Sequence, residues 1–402
     1  MNLKDYFSSI LSLSAGNGVA QLLSLLFLPI ITRLYSEEEY GEYSIFLQLS
    51  ILISIFIALR KENTFLLIGK YENILHFYRS TEKILILVLL ILFLLGLMFY
   101  ESDYGYVTNV LLAACSLVLI GLNSNILIFR EKYIHVGISE ILNKSIFLLL
   151  AFSFYKFFGV NGLIYGYVVA LIFKFLYLRL KNLSINKKFI KPSDEQINVV
   201  KKSGHSVAIS HLLLSLTTLI PMFTINNYFS AEQLGLYALA IGVVFLPSSI
   251  ISVNIGNIYF EKIIKNKKDT IDILGQTVLI AGCMSFIIFV PIFLFGPYIF
   301  ATVFGSNWYE AGEIAKIISI SGFFGFVTST IDRTCLVNKN NLHGPLWHGS
   351  RVLGNIIVCY GTIIYGLSIE SFLWITTFVW TALYLADFLF QIKYAKEIYR
   401  KS

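Results

Sequence analysis

The side chains of this chain best placed to do chemistry are charged groups set at or inside long apolar runs. Six are cations: Arg60, Lys61, Lys144, Lys174, Arg333 and Arg351. Glu62, Glu140, Asp332 and Asp387 are acids in comparable positions, and His211 and His348 accompany them. An ionisable residue in a membrane span is expensive and faces a partner, a bundle interior or a water-filled cavity. Arginine forks onto phosphate oxygens and lysine acts as a point charge. A cavity with more cations than anions therefore suits an anionic substrate. The acids and His211 are candidates for ion coupling or ion pairs. Asn17 and Gln21 on the first helix, with Asn226 and Asn227 closing the seventh, offer uncharged donors to a polar cavity.

Each candidate has a structural alternative. Arg60, Lys61, Glu62, Arg333 and Arg351 stand near predicted span ends, where long cationic stems snorkel to the headgroups. Glu140 and Lys144 are four apart and can satisfy each other along one helix face. Asn and Gln also serve as helix–helix glue. Lys174 is the hardest to place this way, because 17 charge-free residues precede it and Phe-Leu-Tyr-Leu follows. Asp387 has Lys393 nearby but one and a half turns away, so a partner on another helix is plausible.

These residues need spans to hold them. Of 402 residues, 56% are hydrophobic and 14% charged, with a mean hydropathy of +0.74. Soluble domains average about 45–50% apolar and about 25% charged, so the balance excludes a soluble enzyme, a disulfide scaffold and a disordered chain. A spanning helix takes about 20 apolar residues. Charge-free runs predict helices over Tyr6–Thr32, Tyr43–Leu59, Ile84–Tyr100, Tyr104–Phe129, Phe157–Phe173, Ser203–Ala231 and Gln233–Phe260. The series continues with Ile273–Tyr309, Ile317–Ile331, Val352–Ile369 and Ser371–Ala386; Ser145–Tyr155, extended back over Glu140, makes twelve. Pro291 and Pro297 are expected to end the ninth helix, leaving Phe300–Tyr309 as an interfacial loop. The fold class expected is an all-α integral membrane protein of twelve transmembrane helices.

The net charge of +7 is a topology signal. Of 31 Lys and Arg, 27 fall on one side of the predicted spans and 3 on the other. The positive-inside rule makes the rich side cytoplasmic, with both termini there. Nothing resembles a basic, aromatic-studded nucleic-acid face. The four cysteines are scattered without metal spacing, so no metal or cofactor is expected. Walker A, HExxH and GxSxG sequences are lacking, which argues against an enzyme and for gradient-driven transport. The first apolar run is too long for the core of a cleavable signal peptide.

The loop after the first span reads Ser36-Glu-Glu-Glu-Tyr-Gly-Glu-Tyr43, and the loop after the seventh reads Ser230-Ala-Glu-Gln-Leu-Gly-Leu-Tyr237. Both fit S-x-E-x-x-G-x-Y, 194 positions apart, close to half the chain. Each is expected to be a short turn, capped by Ser and ended by Gly. A duplication of six-helix halves follows, with lobes over 1–180 and 203–402 joined by a cytoplasmic linker over 181–202. Transporters of such design bind substrate between their repeats.

The stretch Leu34-Tyr-Ser-Glu-Glu-Glu-Tyr-Gly-Glu-Tyr43, after a helix carrying Gly16, Asn17, Gln21 and Pro29, resembles the opening of bacterial O-antigen and capsular polysaccharide flippases. These belong to the multidrug/oligosaccharidyl-lipid/polysaccharide exporter (MOP) superfamily. Leu59-Arg-Lys-Glu62 is similar to that family's Arg–acidic signature, and Phe129-Arg130 to its basic stop after the fourth helix. The resemblance implies two six-helix lobes around a central cavity in the bacterial inner membrane. It also implies alternating-access transfer of an undecaprenyl-diphosphate-linked oligosaccharide to the outer leaflet. Expected partners are that glycan lipid, membrane lipid, H⁺ or Na⁺ as coupling ion, and polysaccharide assembly proteins. Two alternatives remain open. One is a cation-coupled drug exporter of the same superfamily, although the first apolar run lacks acids. The other is a non-transporting enzyme or scaffold of glycan assembly.

Overall fold

A computed structural model of the chain describes residues 3–59, 81–88, 90–91, 94, 103–159, 161–182, 193–338, 340 and 342–401. All secondary structure among them is helical. In lipid no water is available to peptide groups, so each span must satisfy its own N–H and C=O groups, as a helix does. The long elements are α1 (Leu3–Leu34), α2 (Glu37–Ala58), α3 (Asp103–Phe129), α4 (Tyr133–Phe158), α5 (Asn161–Asn182) and α6 (Asp194–Thr224). They continue as α7 (Ala231–Pro247), α8 (Val253–Lys265), α9 (Thr270–Phe304) and α10 (Tyr309–Ser329). The short α11 (Thr334–Val337) precedes α12 (His343–Tyr365) and α13 (Ile369–Lys401). Another helical stretch occupies 81–88. Nine stretches among the described residues are long and apolar enough to cross a membrane. They establish a multi-pass membrane protein and are consistent with twelve helices. Leu26, Leu149, Ile287 and Tyr365, each about 70% or more exposed, supply the apolar outer surface that lipid would cover.

Several boundaries differ from the sequence reading. α9 runs through Pro291 and Pro297 and stops at Gly305, whose φ of +117° suits glycine. Membrane helices tolerate proline where neighbouring groups take up the freed carbonyls. At Pro297 the neighbour is very close: a Cβ on Gly296 would lie 2.7 Å from the Gly312 carbonyl oxygen on α10. Phe300 is consequently a fully buried helical residue, not part of a loop. Phe157 and Phe158 close α4, and the break comes at Gly159 (φ +51°) before α5 begins. α7 and α8 are joined by a π-helical turn over Ser248–Ser252, and α6 ends in another over Ile225–Phe229.

The chain divides into two compact units. Unit 1 comprises Met1–Tyr35 and Ile45–Ser215; unit 2 comprises Ser36–Ser44 and Leu216–Ser402. Of the stretch 181–202, residues 183–192 lie outside the described residues, 181 and 182 close α5, and 194–202 already belong to α6. Within unit 1, α4 packs against α1 and α5, and α5 against α3. Phe46 meets the edges of Tyr106 and Tyr167, and Tyr35 donates its hydroxyl to the Ala151 carbonyl at 2.6 Å. Within unit 2, α10 packs against α7, α9 and α13 around Trp308, Phe289 and Phe326.

The repeated motifs cap helices but do not end turns. Ser36 and Glu39 form a reciprocal capping box: the Ser36 N–H donates to Glu39 Oε2 at 2.8 Å, and the Glu39 N–H donates to Ser36 Oγ at 3.3 Å. Ser230 Oγ accepts from the Gln233 N–H at 3.1 Å. Gly41 and Gly235 are helix-interior residues that let the two motifs touch inside unit 2. A Cβ on Gly235 would collide with the Glu37 carbonyl oxygen, and one on Gly41 would lie 2.9 Å from the Gly235 nitrogen.

Candidate functional site

The sequence-selected cations separate into two groups. In unit 1, Lys174 on α5 is 6% exposed, and its Nζ lies 2.6 Å from Glu140 Oε1 on α4. An α4–α5 pair thus replaces the Glu140–Lys144 pair expected from spacing. Lys144, one turn along α4, has no carboxylate within ion-pair distance among the described residues, though it feels the charges of both Glu140 and Lys174. Glu140 thus pairs directly with Lys174 and acts on Lys144 only at longer range. The Asn143 Oδ1 nearby in sequence is buried without a hydrogen-bond partner, as is Gln21 Oε1 on α1.

The second group is a ladder between α12 and α13. His343, Trp347, Arg351 and Asn355 recur every four residues and lie along one helix face. Trp380, Tyr384, Asp387, Gln391 and Tyr394 recur at spacings of three and four on the facing helix. At one end, Trp380 Nε1 donates to Asn355 Oδ1 at 2.8 Å, and Asn355 Nδ2 donates to the Thr217 carbonyl at 2.7 Å. In the middle, the Arg351 guanidinium carbon sits 5.3, 5.5 and 5.8 Å from the ring centres of Trp380, Tyr384 and Trp347. Its Nε is buried without a hydrogen-bond partner, and no carboxylate pairs with it among the described residues. Three π faces stabilise the cation while leaving its charge uncompensated by an acid.

At the other end, His343 Nε2 lies 2.7 Å from Asp387 Oδ1, and the Asp387 side chain is 3% exposed. Gln391 Oε1 accepts the Cys335 N–H at 3.2 Å, which orients the amide so that Nε2 donates to Asp387 Oδ1 at 3.0 Å. Tyr394 OH stands 3.3 Å from His343 Nδ1 and accepts from Asn340 Nδ2 at 2.9 Å. A cavity of about 390 Å³ opens beside them, lined by His343, Trp347, Ser350, Asp387, Phe390 and Tyr394 among others.

Of the remaining candidates, Asp332 lies near enough to Asp387 and His343 to feel their charges, and the others are dispersed. Asp332 and Arg333 lie in the turn after α10, not within a helix, because α10 ends at Ser329. Arg333 donates to Asn257 Oδ1 and lies over the Phe260 ring. His211 is half-buried on α6; Asn226 lies in the π-helical turn and donates to Asn227 Oδ1 at 3.4 Å. Asn17 lies on α1, while Arg60, Lys61 and Glu62 fall outside the described residues. The sequence reading missed His343, Trp347, Trp380, Tyr384, Gln391 and Tyr394. Their i, i+4 and i, i+7 spacing around Arg351 and Asp387 was the available signal.

Comparison with known proteins fits this architecture. A family model described as polysaccharide biosynthesis protein matches residues 81–313, more than half of the chain. A capsular polysaccharide biosynthesis protein, CapF of Staphylococcus aureus, is 26% identical over 350 residues, covering 81% of this chain and 85% of that protein. Among solved structures, the lipid II flippase MurJ in an inward closed conformation gives a TM-score of 0.72 at 15% identity. That match covers 96% of this chain and 89% of MurJ. An inward-facing multidrug resistance MATE transporter of the MOP superfamily gives 0.63 at 13% identity, covering 98% and 96%. The helical, ladder-bearing chain thus has the fold of MOP-superfamily transporters, and it belongs to the polysaccharide biosynthesis protein family.

Proposed function

We propose that the chain is a flippase that moves an undecaprenyl-diphosphate-linked oligosaccharide from the cytoplasmic to the outer leaflet of the bacterial inner membrane. The observation that carries this reading is Arg351: a guanidinium fixed by three aromatic rings, with no carboxylate paired to it among the described residues. Such a group is preorganised for an anion, and guanidinium geometry matches phosphate oxygens. Lys144 and Lys174 give unit 1 a partly compensated positive region of its own. The family's polysaccharide role and the capsular relative support a glycan as the passenger. Alternating access with both termini cytoplasmic completes the reading, the lipid tail staying in the bilayer while the diphosphate and sugars cross.

The test is complementation in a strain lacking its own flippase of this pathway. Wild-type chain should restore surface glycan. Arg351→Ala should reduce it by at least tenfold at unchanged protein level, with lipid-linked units accumulating on the cytoplasmic leaflet. Full restoration by the variant would remove Arg351 from the mechanism and the central support of the reading.

A further inference from the structure

The His343–Asp387 end of the ladder has a feature that a merely structural ion pair does not require: its hydrogen bonds accommodate the imidazole in both protonation states. In the neutral ring, Nε2–H donates to Asp387 Oδ1 and Nδ1 accepts from the Tyr394 hydroxyl. In the imidazolium, Nδ1–H donates to the Tyr394 oxygen, which has a second lone pair for Asn340 Nδ2. The hydroxyl hydrogen then turns away, and no nitrogen is orphaned in either state. Asp387 is held as an acceptor throughout by Gln391, whose amide orientation is fixed through the Cys335 N–H. The adjoining cavity is largely apolar, and His343, Asp387 and Tyr394 are among its few polar lining groups, through which a proton would reach the ring.

We propose that His343, paired with Asp387, is a proton-binding site whose occupancy sets the anion affinity of Arg351. The proposal rests on the anion-binding role given to Arg351 above for its second half only. Without the proton, the pair carries one negative charge; with it, the pair is neutral. His343 and Arg351 are eight residues apart on α12, about 12 Å along a helix, with Trp347 between them lining the cavity and facing the guanidinium. One unit charge acting over that distance at an effective dielectric constant near 20 changes anion binding about tenfold. Loss of the negative charge leaves Arg351 freer for a phosphate, so proton and anion bind together.

Other titratable and charged groups face the site. Asp332 approaches from the turn after α10, with Arg333 next to it, and feels the charges of both His343 and Asp387. Cys335 contributes from α11, and Tyr394 with Glu397 from α13. His343 is the imidazole in direct contact with Asp387 and the one whose loss identifies the site.

The experiment uses the full chain in detergent. Tryptophan fluorescence, to which Trp347 in the cavity wall contributes, is followed from about pH 5 to pH 8, where imidazole titrates. A transition is expected in wild type, absent in His343→Gln and displaced in Tyr394→Phe, which keeps the ring but removes the Nδ1 partner. Sodium at fixed pH should not reproduce it. UDP-glucose, a soluble diphosphate diester of constant charge between pH 6 and 8, then probes the linkage. Its affinity should be about tenfold higher at pH 6 than at pH 8 in wild type, with the ratio close to one in His343→Gln. A transition unchanged in His343→Gln, or none in wild type, overturns the proton site. A His343-dependent transition without UDP-glucose binding keeps the proton site and counts against the anion role of Arg351. Binding with an equal pH ratio in both proteins overturns the linkage.

Discussion

In unit 1 the buried ammonium of Lys174 rests on a carboxylate, whereas in unit 2 the guanidinium of Arg351 rests on three aromatic faces. Both arrangements offset the penalty of a cation away from water, but they leave different remainders. Glu140 neutralises Lys174, so an incoming anion must compete with a contact of 2.6 Å. Ring faces offer no oxygen acceptor, so a guanidinium packed among them keeps N–H donors for one, as the unpartnered Arg351 Nε shows. The comparison teaches that burial and charge do not by themselves identify a binding group; the nature of the counterpart does. Lys174 serves structure first, Lys144 is the uncommitted cation beside it, and Arg351 is the better-prepared anion ligand.

The largest expected effect breaks the unit 1 pair. Lys174→Ala leaves Glu140, whose side chain is 29% exposed, with only the more distant Lys144 and should destabilise the protein by about 2 kcal/mol. A lower thermal unfolding midpoint in detergent would report it. Adding Glu140→Gln removes the stranded charge and should restore most of the loss. Equal midpoints for the single and double variants would deny the pair its structural role.

Next comes a charge-conserving change in each unit. Arg351→Lys keeps the cation but loses planar stacking and the fork, and should lower surface-glycan restoration about tenfold with little change in midpoint. Lys144→Arg, which alters no stacked geometry, should lower it less than threefold, on the order of half a kcal/mol. Equal losses at both positions would erase the distinction between units. The smallest effect concerns the end of the ladder away from His343. Trp380→Phe leaves Asn355 Oδ1 without its donor and should lower stability by about 1 kcal/mol, with Arg351 losing only part of its cage.

Much of this was legible in sequence because lipid imposes simple rules. Long charge-free runs had to be helices, and the charges interrupting them had to be accommodated. For Lys174, isolated by 17 charge-free residues before it, the sequence leaves snorkelling and an inward, partnered position equally open, and the structure shows the partnered one. Its partner was not legible, because Glu140 has Lys144 one turn away and spacing favours the local pair; only the facing of α4 and α5 decides for Lys174. Asp387 was expected to pair between helices and does so, but with His343, which sat in a predicted loop until α12 proved to start there. The aromatic cage needs two helices in phase, information absent from either stripe alone. Pro297, Gly41 and Gly235 misled for a related reason. Local propensity marks them as breakers, whereas tight packing between membrane helices uses the space that such residues leave.

The Gly41–Gly235 crossing bears on how the chain is assembled. The segment Ser36–Ser44 is synthesised nearly two hundred residues before its counterpart, the start of α7. Unit 2 cannot close until both have been synthesised, so the start of α2 must wait without its partner while the intervening chain is made. A C-terminal half produced alone would lack part of its own wall. Separately expressed halves should therefore accumulate stably only when made in the same cell.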